Sequence, residues 1–142
     1  MSCDNLKVTV NIDGGARGNP GPAGAGFVLR AQDGTILRQE GFFLGRATNN
    51  VAEYTALLKG LASAMELGAK SVEVLSDSEL LVRQMTGVYR VKNAGLLPLF
   101  TEAKEISQKF DSFEIHHVRR ELNTDADRMV NMAIDQRRDV ED

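Results

Sequence analysis

The chain has 142 residues, of which 42% are hydrophobic and 26% charged, and this composition is typical of one soluble globular domain. No segment holds the roughly 18 uncharged apolar residues that a membrane span needs, and the N-terminus lacks the pattern of a secretory signal. The net charge of -3 excludes a protein that binds nucleic acid by overall positive charge. We expect a single cytoplasmic domain over residues 1–142, with a core of about 6–136 and a solvated tail over 137–142.

The first third of the chain predicts three strands. Apolar and polar residues alternate in "LKVTVNI", which is typical of a strand, and this strand would end near Asp13. The segments "AGFVLRAQ" and "TILRQEGFFLG" are rich in β-branched and aromatic residues. Asp33-Gly34 lies between them and is typical of a tight hairpin. These three strands are therefore expected to be antiparallel.

The rest of the chain alternates helices with strands. Helical spacing runs from Asn50 to Gly68, and "SVEVLS" then predicts a fourth strand, which a right-handed crossover would place parallel to the first. Two short helices precede a fifth strand, "SFEIHHV". A last helix follows, which Asn123 or Thr124 could cap. The fold class is α/β, with a mixed five-stranded sheet (strands 1–3 antiparallel; 1, 4 and 5 parallel) flanked by helices.

Two acidic residues come directly after predicted strands. Asp13 follows the first strand and Asp77 the fourth, so in a parallel pair both would lie at the ligand-binding edge of the sheet. Neighbouring carboxylates raise each other's pKa unless a cation lies between them, and oxygen donors suit Mg²⁺ or Mn²⁺. Each residue also has a structural explanation, because Asp13 precedes a Gly-Gly turn and Asp77 could cap a helix.

Two further acids lie near predicted helix starts. Glu53 is placed in the first turn of the first helix and Asp127 in the first turn of the last. Either position is also explained by a favourable interaction with the helix dipole. The four acids indicate a common site only if the fold brings them together.

Four motifs in order resemble one family. The segments "DGGARGNPGPAGAG", "ATNNVAEYTALLKGL", "SDSELLVRQM" and "ELNTDADRMVNMA" are similar to those of the ribonuclease H type 1 family, from about Lys7 to Ile134. The similarity is strongest to the short branch found in archaea, many bacteria and plants. It implies an RNase H-like fold and an endonuclease that cuts the RNA strand of RNA-DNA hybrids with two divalent ions, Mg²⁺ or Mn²⁺. The implied products carry a 5′-phosphate and a 3′-hydroxyl.

The resemblance assigns the catalytic and metal-binding acids to Asp13, Glu53, Asp77 and Asp127. Asp127 is preferred to Asp125 because the family pattern is Asn, two residues, Ala, Asp. Asp13 would bridge both ions, Glu53 and Asp77 would hold the ion near the attacking water, and Asp127 would hold the other.

The resemblance also implies contacts with the nucleic acid. Asn19 and Thr48 would form a phosphate pocket on the DNA strand, unless they are simply turn and helix-flanking residues. The full set of implied nucleic-acid-binding residues is Gly14, Gly15, Arg17, Asn19, Thr48, Asn49, Asn50, Ser78, Arg119 and Arg120. The implied partner is an RNA-DNA hybrid bound by a monomer.

The sequence departs from some family members at two places. A basic, tryptophan-containing protrusion is reduced to "GVYRVKNAGLL", and the chain has no Trp. A histidine loop after the fifth strand is missing, and Arg119 or Arg120 could partly replace it. A non-catalytic hybrid- or RNA-binding module, or a nuclease of the same fold acting on double-stranded RNA or branched DNA, remains an alternative.

The reduced protrusion predicts salt-sensitive substrate binding. Arg90 and Lys92 are the cations left in that segment, so fewer phosphates would be neutralised and fewer counterions released. We expect hybrid cleavage to fall steeply from low to moderate salt, measured as initial rates across a KCl series. Rates that do not change with salt would contradict this prediction.

Overall fold

The computed structural model describes residues 6–141, so Cys3 and the last residue lie outside the described part. Within this part no helix is both long and apolar enough to cross a membrane. The strands and helices in chain order are β1 (Lys7–Ala16), β2 (Gly21–Ala31), β3 (Ile36–Ala47), α1 (Asn49–Glu66), β4 (Ser71–Ser76), α2 (Glu79–Met85), α3 (Leu97–Ser107), β5 (Ser112–His117), a 3₁₀ turn (Arg120–Leu122), α4 (Thr124–Gln136) and β6 (Val140–Glu141).

The strands form one mixed sheet in the order β5-β4-β1-β2-β3-β6. β1, β2 and β3 are antiparallel neighbours, while β4 is parallel to both β1 and β5. The pairing predicted from the sequence is therefore confirmed, including the parallel placement of the fourth strand beside the first.

The sheet has six strands and not the five predicted, because part of the expected solvated tail pairs with β3. Arg137 adopts a left-handed conformation at the end of α4 and turns the chain. The Asp139 carboxylate then accepts a hydrogen bond from the Phe43 amide at 3.0 Å, and Val140 pairs with Gly41. A two-residue strand this short has too little periodicity to be recognised in the sequence.

The helices cover both faces of the sheet. Gly60 of α1 lies against Val10, Ile12 and Phe27, which belong to the main core. α4 lies against Gly26, which neighbours Phe27 in β2 and so points to the opposite face. The two helices that carry Glu53 and Asp127 therefore approach β1 from opposite sides.

Gly14 allows α1 to lie directly on β1. A Cβ atom at Gly14 would overlap the backbone carbonyl of Ala52 and the amide nitrogen of Glu53. At Gly15, by contrast, an added Cβ would meet only Asn49 Oδ1, at 3.9 Å. Gly14 is thus required by a close backbone approach that brings Glu53 to the end of β1.

We predict that Gly14→Ala lowers the free energy of unfolding by about 1 to 3 kcal/mol, because backbone must move to admit the methyl group. Gly15→Ala, the matched control, should change it by less than about 0.5 kcal/mol. Urea unfolding followed by circular dichroism measures both. Equal effects of the two substitutions would contradict the prediction.

Candidate active site

The parallel pairing of β1 with β4 sets Asp13 beside Asp77. Ile12 pairs with Ser76, the last residue of β4. The next residues along the chain, Asp13 and Asp77, therefore lie side by side just beyond the last parallel pair. β1 does not end near Asp13 as predicted, because it continues to Ala16 along β2. Asp13 therefore lies within β1 just beyond the end of the parallel ladder, where it pairs with Gly26 of β2 while Ile12 before it still pairs with β4.

Glu53 reaches this edge from α1. The Thr48 hydroxyl accepts a hydrogen bond from the Val51 amide and begins the helix. Since Asn49 is the first helical residue, Glu53 is the fifth, and its predicted place in the first turn was wrong. A favourable interaction with the helix dipole therefore explains the position of Glu53 less well, because this interaction acts mainly within the first turn.

The surroundings of Glu53 favour a proton near neutral pH. Burial raises the pKa of this carboxyl to about 7, although a hydrogen bond with the Ser78 side chain lowers it. The negative charge of Asp77 raises it further and the positive charge of Arg120 lowers it. Glu53 is thus held by Ser78 and lies within electrostatic reach of Arg120.

Asp127 reaches the site from the first turn of α4 on the opposite face. The Asp127 amide donates to the Asn123 carbonyl at 3.2 Å, and Asn131 Nδ2 donates to Asp127 Oδ2 at 3.2 Å. Asp125, the other acid in this turn, instead pairs with Arg30 and has a side chain that is 54% exposed. The structure thus separates the two acids, with Asp127 alone facing the site.

A buried amide pair joins the start of α4 to β1. The Asn11 side chain donates to Asn123 Oδ1 at 3.0 Å, and Asn123 Nδ2 donates to the Ile12 carbonyl at 2.8 Å. The Asn123 side chain does not cap α4, as the sequence suggested it or Thr124 could, because these contacts occupy it. The pair fixes the N-terminal end of α4 next to Asp13.

The four acids line one open cleft of about 480 Å³. Burial, the charge of Asp77 and a side-chain hydrogen bond with Asp127 raise the pKa of Asp13 to about 8. As the side chains lie, no three His, Cys, Asp or Glu groups within residues 6–141 meet closely enough to hold a metal ion. The donor set nevertheless fits a hard divalent cation, because neighbouring carboxylate oxygens that repel one another are stabilised by a shared positive charge.

The structure divides the residues that the resemblance assigned to nucleic-acid contacts. Those that line the cleft are Gly14, Gly15, Arg17, Asn49, Ser78 and Arg120. Those outside its lining are Asn19, Thr48, Asn50 and Arg119.

Several of these polar side chains are engaged in contacts within the chain. Asn19 Oδ1 accepts from the Asn49 amide at 3.1 Å, and Asn49 Oδ1 accepts from the Ala16 amide at 2.8 Å. Thr48 caps α1, which is the helix-flanking role considered as its alternative. These bonds tie the glycine-rich loop to the start of α1. The Arg17 side chain, from the same loop, contacts α4 instead of α1.

Asn131 is the site residue that sequence reasoning missed. It lines the cleft and bonds Asp127, but an Asn within a helix has no distinctive pattern. The available signal was its spacing of four residues from Asp127, which places both side chains on one helix face.

Comparison with known proteins agrees with this architecture. A family model described as reverse transcriptase-like matches residues 11–133. The bifunctional protein Rv2228c of Mycobacterium tuberculosis is 47% identical over 131 residues, which are 92% of this chain and 36% of that protein. The chain thus spans about a third of the length of this curated relative.

Two solved structures are similar over nearly the whole chain. RNase H1 of the halophilic archaeon Halobacterium salinarum NRC-1 is 41% identical with a TM-score of 0.89, and the match covers 92% of this chain and 98% of that one. LC11-RNase H1, solved in complex with an RNA/DNA hybrid, is 42% identical with a TM-score of 0.87 and the same two coverages. Because sequence and fold agree over this span, the chain belongs to the ribonuclease H type 1 family.

Proposed function

We propose that this protein is a metal-dependent ribonuclease H that cuts the RNA strand of RNA-DNA hybrids and leaves 5′-phosphate and 3′-hydroxyl ends. The observation that carries the proposal is the convergence of Asp13, Glu53, Asp77 and Asp127 on one cleft from four separate elements. A relative of 42% identity that was solved with an RNA/DNA hybrid supports this substrate class.

The acids would act as ligands of two divalent ions. Two Mg²⁺ or Mn²⁺ ions bound by these carboxylates would supply an activated water on one side of the phosphodiester and stabilise the leaving oxygen on the other. Asp13, which interacts with both Asp77 and Asp127, is the acid best placed to serve both ions. Asp127 is positioned by α4 separately from Glu53 and Asp77, which would serve the opposite side.

The neighbouring groups would orient the substrate. Glu53 is held by Ser78 and would accept a hydrogen bond from an RNA 2′-hydroxyl, the group that distinguishes RNA from DNA. Arg120 lines the cleft near Glu53 and would contact a phosphate, which is the role suggested for it or Arg119 in place of the missing histidine loop. The cleft is open, as a duplex substrate requires.

The activity is tested with matched RNA-DNA hybrid, double-stranded RNA, double-stranded DNA and single-stranded RNA, each with Mg²⁺, with Mn²⁺ and with chelator. We predict metal-dependent cleavage of the RNA strand of the hybrid. Asp13→Asn and Asp127→Asn should each lower the rate by on the order of 1,000-fold, because each removes part of several kcal/mol of transition-state stabilisation. End-labelled RNA identifies the new termini.

Asp125→Asn is the matched control, since Asp125 shares the first turn of α4 but pairs with Arg30 outside the cleft. Its rate should stay close to that of the unmodified protein. Binding of the hybrid without cleavage under every metal condition would sink the enzyme proposal and leave a non-catalytic module. Cleavage of double-stranded RNA would extend the substrate range to the same-fold alternative.

Burial of the Asp13 carboxyl, together with repulsion from Asp77, predicts a pH-dependent stability. The folded-state pKa of about 8 lies above the ordinary value of 3.8, so folding is favoured when this carboxyl is protonated. The contribution of the protonated Asp13 carboxyl to the free energy of unfolding is fully present below about pH 3.8 and is lost as the pH rises toward 8.

Without metal, Asp13→Asn should therefore raise the melting temperature by several degrees at pH 8 and change it little near pH 4. Added Mg²⁺ should stabilise the unmodified protein more than the variant, because the ion binds the folded carboxylates. Thermal melts in chelator and in Mg²⁺ at both pH values measure this. A variant that is less stable at pH 8 would contradict the assigned repulsion.

A further inference from the structure

A chain of polar contacts leads from the glycine-rich loop to Asp127. Arg17 Nη1 pairs with Asp135 Oδ1 at 2.7 Å, and Arg17 Nη2 donates to Asn131 Oδ1 at 3.2 Å. The Asn131 Nδ2 group then donates to Asp127 at two atoms, the carbonyl at 3.1 Å and Oδ2 at 3.2 Å. Four side chains from two separate segments are thus connected in one line.

The donors and acceptors in this line allow only one orientation of the Asn131 side-chain amide. A guanidinium has only donors, so the Asn131 oxygen must face Arg17 and its amide must face Asp127. An ionised Asp127 carboxylate accepts only, which requires the same orientation from the other end. The Asn131 amide therefore has its oxygen toward the Arg17 cation and its NH2 group toward the Asp127 carboxylate, and each contact favours this orientation.

The geometry points to Asn131 as a positioning residue for Asp127, with Arg17 fixing Asn131 in turn. Asn131 holds one carboxylate oxygen of Asp127, Oδ2, at 3.2 Å, and Asp127 itself lines the cleft. A carboxylate held in one rotamer loses less conformational freedom when it binds a cation. This inference rests on the proposed function, and it gives Arg17 a role other than the nucleic-acid contact that the resemblance implies.

Stability alone does not explain these residues. Asn131 is exposed, and Asn is less favourable than Ala inside a helix. The Arg17 and Asp135 side chains are 49% and 64% exposed, and ion pairs this exposed contribute little to folding. The contacts are therefore better explained by their effect on Asp127 than by their contribution to the fold.

The test compares Asn131→Ala, Arg17→Met and the double variant with the unmodified protein. Binding of Mn²⁺ to the substrate-free protein is measured by electron paramagnetic resonance, so this readout does not depend on cleavage. Hybrid KM and the Mg²⁺ concentration for half-maximal rate are measured separately, and thermal melts in chelator report the fold. Gln136→Ala is the matched control, because Gln136 is exposed on α4 but outside the cleft lining.

We expect Asn131→Ala to weaken Mn²⁺ binding and raise the Mg²⁺ requirement by about 10-fold. Its melting temperature in chelator should be unchanged or higher, and hybrid KM should be unchanged. Arg17→Met should show a smaller effect of the same kind, and the double variant should be no worse than Asn131→Ala, since both act on one line of contacts. Gln136→Ala should change none of these values.

Unaltered Mn²⁺ binding in Asn131→Ala would overturn the inference even if the unmodified protein cleaves hybrids. An Arg17→Met variant that raises only KM, with effects additive to those of Asn131→Ala, would assign Arg17 to the substrate and overturn its positioning role. If the unmodified protein binds Mn²⁺ but cleaves no hybrid, the proposed function fails, and the Mn²⁺ measurement still decides the role of Asn131.

Discussion

The cost of holding the Asp13 carboxylate partly out of water and beside other acids is the constraint that the rest of the site depends on. Asp13 is half-buried and interacts with both Asp77 and Asp127, so the folded chain brings together acids that would separate in water. The surrounding backbone holds the acids in place despite this repulsion. β1 is paired on both sides, Gly14 brings α1 against it, and the Asn11–Asn123 pair fixes the start of α4. The acids are held by rigid elements, and under the proposed function a bound cation would supply the positive charge that the protein alone lacks.

The features that the sequence predicted well depend on local pattern. Alternation in "LKVTVNI" and "SVEVLS" located β1 and β4, and the handedness of crossovers then gave their parallel pairing. Because parallel neighbours end at one edge, Asp13 and Asp77 could be expected together before any coordinates were known. The buried face of α4 includes Ala126, Val130 and Ala133, whose spacing is that of one face of a helix.

The features that were missed depend on contacts between distant segments. β6 is two residues long and forms because α4 ends beside β3. Asn123 turns its side chain to β1 instead of capping α4, since a buried amide finds more partners there. Arg17 was assigned to the substrate from its place in a motif, but its partners Asn131 and Asp135 lie more than 100 residues away. No local pattern encodes which of several polar groups a side chain will meet.

Under the proposed function, the charge at the cleft would link metal binding to substrate binding. The chain carries a net charge of -3, and its cleft centres on acids, so a nucleic acid would be repelled from the metal-free site. Of the two arginines that line the cleft, Arg17 is already paired with Asp135, and Arg120 lies within electrostatic reach of Glu53. Under the proposed function, divalent ions would therefore attract the scissile phosphate as well as assist its hydrolysis. Because coupling between two ligands is reciprocal, a bound hybrid would tighten the metal site by the same factor. The acids that make this chain unsuited to binding nucleic acid by bulk charge would thus make its binding depend on the ions that the reaction uses.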